Sequence, residues 1–146
     1  MALDDLLRLT GPSSGVFEED ISATGDGPVV FAGKDRSFTG FLRVGGDVTG
    51  TNPTLDVLIK ESEDGLTSWV TIATFAQVTN EQVGYIATAT PRYEVPGEDP
   101  LVVGMVTTKD YIQATWTIGG TVSPTFNDVS IELQPVKGFA QKRSGT

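Results

Sequence analysis

The sequence predicts an all-β fold, a single β-sandwich of about eight or nine antiparallel strands with a jelly-roll or Greek-key-like path. Three observations carry this. Short apolar runs alternate with polar residues at period two, the pattern of a half-buried strand. The 17 glycines and 8 prolines in 146 residues punctuate the chain too often for long helices. No stretch repeats apolar residues at helical spacing for more than a turn or so. The length suits one domain with a real core. The expected organisation is an N-terminal arm over residues 1–15, the sandwich over 16–136 and a C-terminal tail over 137–146.

The strongest local signal lies at 55–75. Leu55, Val57 and Ile59 point one way and Asp56, Leu58 and Lys60 the other. Glu63-Asp64-Gly65 then turns the chain into Trp69–Phe75, so this stretch reads as a hairpin. Before it, 16–22 is a short acidic strand, Val29–Ala32 is short and apolar enough for a buried strand, and 37–44 places Phe38, Gly40, Leu42 and Val44 on one face. After it, 82–89 and 101–106 read as strands flanking an irregular Pro- and acid-rich segment at 91–100, which reads as a crossover. Ile112, Ala114, Trp116 and Ile118 share the core face of the next strand. Gly119-Gly120 is expected to turn it, and the chain returns through Val129, Ile131 and Leu133.

Composition narrows the chemistry. Without histidine or cysteine there is no Ser-His-Asp or Cys-His nucleophile system, no disulfide and no thiolate or imidazole metal site. Phosphate-cradling glycine motifs are absent, and the Gly-Gly pairs at 45–46 and 119–120 are expected to be hairpin turns. A formal charge of −9 opposes binding to nucleic-acid backbones. No apolar run approaches a membrane span, and the acidic start Met1–Asp5 does not resemble a signal peptide. The expectation is a protein made and used without secretion. Carboxylates remain as candidates for catalysis or calcium binding, with Glu61, Glu63 and Asp64 at the hairpin tip and Glu98 and Asp99 further on. A hairpin tip is convex and wet, so these are expected to be solvent-facing acids, with no catalytic, cofactor or metal site. Trp69, Tyr85, Tyr93, Tyr111 and Trp116 are the aromatics that a sugar-stacking face would need, but Trp116 falls on the core side.

The two ends differ in charge. Residues 1–20 hold five acids against Arg8, a net of −4, whereas residues 137–146 hold Lys137, Lys142 and Arg143 with no acid, a net of +3. Leu3, Leu6, Leu7 and Leu9 suggest a short amphipathic helical turn, and four leucines need something to bury them. These seven residues are therefore the candidate partner-binding set, in tails that pair within or between subunits.

The chain also resembles a group of tailed-bacteriophage virion proteins with small β-sandwich domains. The resemblance runs over 55–134. It rests on Glu61-Ser62-Glu63-Asp64-Gly65 followed by Trp69, and on Tyr111, Ala114, Trp116, Thr117, Gly119-Gly120-Thr121, Pro124 and Phe126. It implies a non-enzymatic structural component of a virion, made in the host cytoplasm. Its most specific form is a capsid decoration (cement) protein on the outer surface of the head, which bridges capsomers. The implied partners are the major capsid protein and copies of the chain itself, as a dimer or trimer. Cofactors, nucleic acid and membrane are not expected. The alternatives are a tail or neck protein of similar fold and a carbohydrate-binding module that attaches to a host glycan.

Overall fold

The computed structural model describes residues 7–10, 18–79 and 101–136. Among them there is no helix, and ten strands form one antiparallel sheet. They are β1 (Leu7–Arg8), β2 (Glu19–Ile21), β3 (Gly25–Asp26), β4 (Val30–Phe31), β5 (Ser37–Val44), β6 (Val48–Ser62), β7 (Val70–Thr74), β8 (Val78–Thr79), β9 (Leu101–Val106) and β10 (Tyr111–Pro135).

The 25-residue β10 is the hub. Along one edge it pairs with β6, from Tyr111 opposite Ser62 to Phe126 opposite Val48. It continues on the same edge with β5, from Val129 opposite Val44 to Pro135 opposite Phe38. Along its other edge the N-terminal segment runs antiparallel in four short pieces, with β4 at Tyr111–Ile112, β3 at Thr115–Trp116, β2 at Phe126–Val129 and β1 at Glu132–Leu133. β7 and β8 extend the β6 side and β9 extends the β5 side. The ends of the path, β7 and β9, come back against each other, so the sheet is nearly closed.

Two sequence expectations are corrected here. Tyr111–Ile118 and Val129–Leu133 do not form a hairpin with each other. Both belong to β10, because each finds its partner in a different part of the 37–62 ribbon. The Gly-Gly pairs are accordingly corners of a folded ribbon. Gly45-Gly46 lies between β5 and β6, which share an edge of β10. Around Gly120 (φ 110) the register slips and left-handed residues gather, at Gly50, Asn52, Val122 and Ser123. The second correction concerns Val29–Ala32. Only Ala32 is fully buried, while Phe31 is 62% exposed, because this segment pairs with β10 at the rim of the sheet.

The core follows the predicted alternation. Leu55, Val57 and Ile59 of β6, Ile112, Ala114 and Trp116 of β10, and Val129, Ile131 and Leu133 further along β10 are all buried. Ile118 packs at their margin. The two halves meet over Gly40. A β-carbon there would touch Met105 Cε at 3.0 Å, Leu133 Cδ2 at 3.1 Å and Phe75 Cζ at 3.2 Å. Glycine at this position lets the Phe75 ring close over β5.

The N-terminal segment is held into this core at Leu9, which is fully buried and whose N–H donates to the Ile131 carbonyl at 2.8 Å. Over the described residues the expected helical turn is therefore replaced by β1 (Leu7–Arg8) paired to β10, followed by the Leu9 backbone bond to Ile131. Gly27 faces this anchor. A methyl group at Gly27 would collide with the Leu9 carbonyl oxygen, whereas one at Gly25 would meet only Trp116 Nε1 at an ordinary 3.5 Å. Gly27→Ala is expected to lower unfolding stability by about 1–3 kcal/mol through overpacking, and Gly25→Ala by clearly less. Urea denaturation of both variants beside the parent checks this.

Candidate functional site

The hairpin tip Glu61–Gly65 lies at one pole of the nearly closed sheet, and its residues are tied into the fold. Glu61 ends β6 with its side chain turned inward, and it is only 3% exposed. Oε1 accepts the Thr108 N–H at 2.7 Å and the Lys109 N–H at 3.0 Å, and Oε2 accepts the Thr108 hydroxyl at 2.6 Å. This corrects the expectation of a solvent-facing acid. The reason is that the β9–β10 connection folds over the end of β6 and offers donors that otherwise lack partners.

Ser62 is also buried, and its Oγ accepts the Gly65 N–H at 3.1 Å. Its hydroxyl proton is shared between the Thr67 carbonyl at 2.6 Å and Asp64 Oδ1 at 3.0 Å. Asp64 Oδ1 also accepts the N–H groups of Leu66 and Thr67, both at 2.9 Å, and Oδ2 accepts the Thr67 hydroxyl at 3.1 Å. These donors hold the Asp64 carboxyl far below the usual aspartate range, the two backbone amides contributing most. Gly65 takes φ 74 and lies flat on the Tyr111 ring, where a β-carbon would come within 3.0 Å of Cγ. Glu63 and Asp64 remain at the surface as expected, and Glu63 pairs with Lys34 at 2.8 Å. Both partners are well solvated, so that pair contributes little.

A second knot sits beside the first. The buried Thr107 donates its hydroxyl to the Gly33 carbonyl at 2.6 Å and accepts the Arg36 N–H at 3.1 Å. The Ala32 and Gly33 N–H groups both donate to the Asp110 carbonyl. The polar residues of this pole thus join three connections, 32–36, 62–67 and 107–110. The Glu61 and Asp64 carboxylates among them are engaged in holding backbone.

At the opposite pole, where the ribbon bends, Asp20, Gly45, Gly46, Asp47, Asn127 and Asp128 line a shallow open cleft. Its walls are linked by backbone bonds between 45–47 and 127–128 and by the Asp128 N–H donating to Asp20 Oδ1 at 3.0 Å. Among the described residues, no cluster of acids is arranged to hold a metal ion.

Of the candidate partner-binding residues, Leu7 is half-buried in β1 and Leu9 belongs to the chain's own core. Leu3, Leu6, Lys137, Lys142 and Arg143 lie outside the described residues, as do the expected strand at 82–89, Tyr85, Tyr93 and the segment 91–100. Sequence reasoning missed two exposed apolar surfaces. One is at the knotted pole, where Phe31 meets Tyr111 edge-on at 5.5 Å between ring centres, with Leu66 exposed on the adjoining turn. The other is the outer face of β9 and β5, where Val102, Val106 and Val136 are exposed and Phe41 is half-buried. Period-two alternation marks Phe31 and the β9 valines as strand residues but not as rim or edge, which depends on which strands pair.

No protein-family model matches the chain, and no curated protein matches it.

Glu61 makes stability pH-dependent. Burial alone would raise its pKa, but the Thr108 and Lys109 donors outweigh burial and leave it below its ordinary 4.5. The folded state therefore keeps a charge that the unfolded chain loses first on acidification. This stabilisation is complete above the ordinary value and disappears as pH falls through the folded value. Glu61→Gln is expected to cost about 1–3 kcal/mol at pH 7, because two backbone amides and a hydroxyl lose an ionised, buried acceptor. The variant's melting temperature should also fall less than the parent's between pH 6 and pH 3. Thermal melts across that range check both expectations.

Proposed function

We propose that this chain is a non-enzymatic structural component of a tailed-phage particle, a decoration protein that binds the outer capsid surface and bridges capsomers. The observation that carries this reading is the work done by the Glu61–Gly65 signature. Its residues hold connections together at one pole, so the signature shared with virion sandwiches is accounted for as scaffold. The surface supports the same reading. Exposed apolar patches at Phe31–Tyr111 and on β9 sit on a chain of formal charge −9, which suits contact with protein rather than with nucleic acid. Many modest contacts repeated over a closed shell add up to substantial stabilisation without one strong site.

The test is made on particles with and without the protein. Particles lacking it are expected to release their genome at a lower temperature, by several degrees, and adding back purified protein should restore the parent value. Unchanged release would sink the cement role. Imaging of the purified particle separates head from tail, because a decoration protein follows the local symmetry of the capsid and a tail or neck protein forms axial rings.

A further inference from the structure

Among the described residues, the left-handed positions not filled by glycine hold Asp, Asn or Ser, with one exception. The exception is Val122, at φ 60. A β-branched side chain is strained in this conformation, and such strain persists only where the surrounding structure imposes it. The ladder imposes it here. Thr121 pairs with Thr51 and Thr125 with Thr49, so Val122, Ser123 and Pro124 of β10 stand opposite the single residue Gly50 of β6. Close approach accounts for the glycines of this corner. A β-carbon at Gly50 would lie 2.6 Å from Pro124 Cα, and one at Gly120 would lie 2.8 Å from the Asn52 carbonyl oxygen.

Val122 has no such internal account. It is 75% exposed, and it belongs neither to the core nor to the partly buried residues packed against it. Glycine or asparagine would take the same backbone with less strain. A strained side chain that the fold leaves in solvent points to a role outside the chain. Its setting gives the chemistry of the partner. No charged residue occurs from Val48 to Leu55 or from Gly119 to Asn127, on a chain of formal charge −9. The exposed side chains beside Val122 are those of Thr49, Thr51, Asn52, Thr121 and Ser123. An aliphatic knob ringed by hydroxyl and amide groups fits a neutral hollow on a folded protein, where it is desolvated without stranding a charge.

We propose that Val122 is a contact knob through which the chain seats on the shell protein of the particle, filling a neutral hollow in its outer surface. This inference rests on the particle reading and adds the contact residue to it. A shell suits the corner better than a second free copy does. A stable pair of free proteins needs about 20–30 residues on each side, and this corner offers far fewer. A contact of its size suffices where it is repeated over a closed shell.

The experiment compares the purified parent with Val122→Asn and Val122→Gly. Melting temperature, oligomeric state by light scattering, and binding to particles that lack the protein are measured for each. Val122→Asn is expected to melt about 1–3 °C above the parent, because asparagine tolerates left-handed backbone. Both variants are expected to bind the particles at least fivefold more weakly than the parent. A Val122→Asn protein that melts below the parent overturns the proposal, since Val122 then serves the fold. Variants that bind as tightly as a bound parent also overturn it, and leave the particle reading intact. A parent that does not bind the particles overturns the particle reading and this inference with it. If the variants lose self-association and keep particle binding, the occupant is a second copy and the proposal is wrong.

Discussion

The structure depends on satisfying both edges of one 25-residue strand. β10 presents a long double row of backbone N–H and C=O groups, and buried groups of that kind must be paired. One row is met by the ribbon β5–β6, the other by the N-terminal segment in four pieces. The core follows from that pairing. The ladder is irregular around Gly120, opposite Thr51–Thr54, and again at Asn127-Asp128, which bond Gly45-Gly46, and the two halves of the ribbon turn their apolar faces toward each other. Phe75 closing over Gly40 is the contact in which the halves meet.

The polar residues sort by pole. At the end holding the hairpin tip, Glu61, Ser62, Asp64 and Thr107 make most of their bonds with backbone. Each therefore fixes the position of a neighbouring connection. Glu61 matters most among them, being a buried carboxylate that holds the β9–β10 connection against the end of β6. Its ionisation joins the integrity of this pole to pH. At the other end Asp20, Asp47 and Asp128 are exposed, and backbone bonds hold the corner.

These arrangements leave the sheet's outer faces and edges as the surfaces on which a partner can act. Phe31 at the rim, packed edge-on against Tyr111, and Val102 and Val106 of β9 are apolar groups left largely exposed. The proposed structural role in a larger particle would give such surfaces a purpose. The leucine-rich start of the chain is partly withdrawn from that role, because Leu9 fills the core of its own subunit.

By itself the sequence determined the class of fold, the buried faces of β5, β6 and β10, and the hairpin at 55–75. All of these follow from period-two alternation and from turn residues, which act locally. Only the tertiary structure decided that Tyr111–Pro135 is one bent strand rather than a hairpin, since a Gly-Gly step permits either and the partners, Ser62 for Tyr111 and Phe38 for Pro135, lie far back in the chain. Tertiary structure likewise turned Glu61 inward, because its donors come from Thr108 and Lys109, which no local pattern connects to the hairpin. Phe31 and the β9 valines have the composition of buried strand residues. Their exposure reflects their position at a rim or edge, and that position is a property of strand order, which is set when the sheet closes.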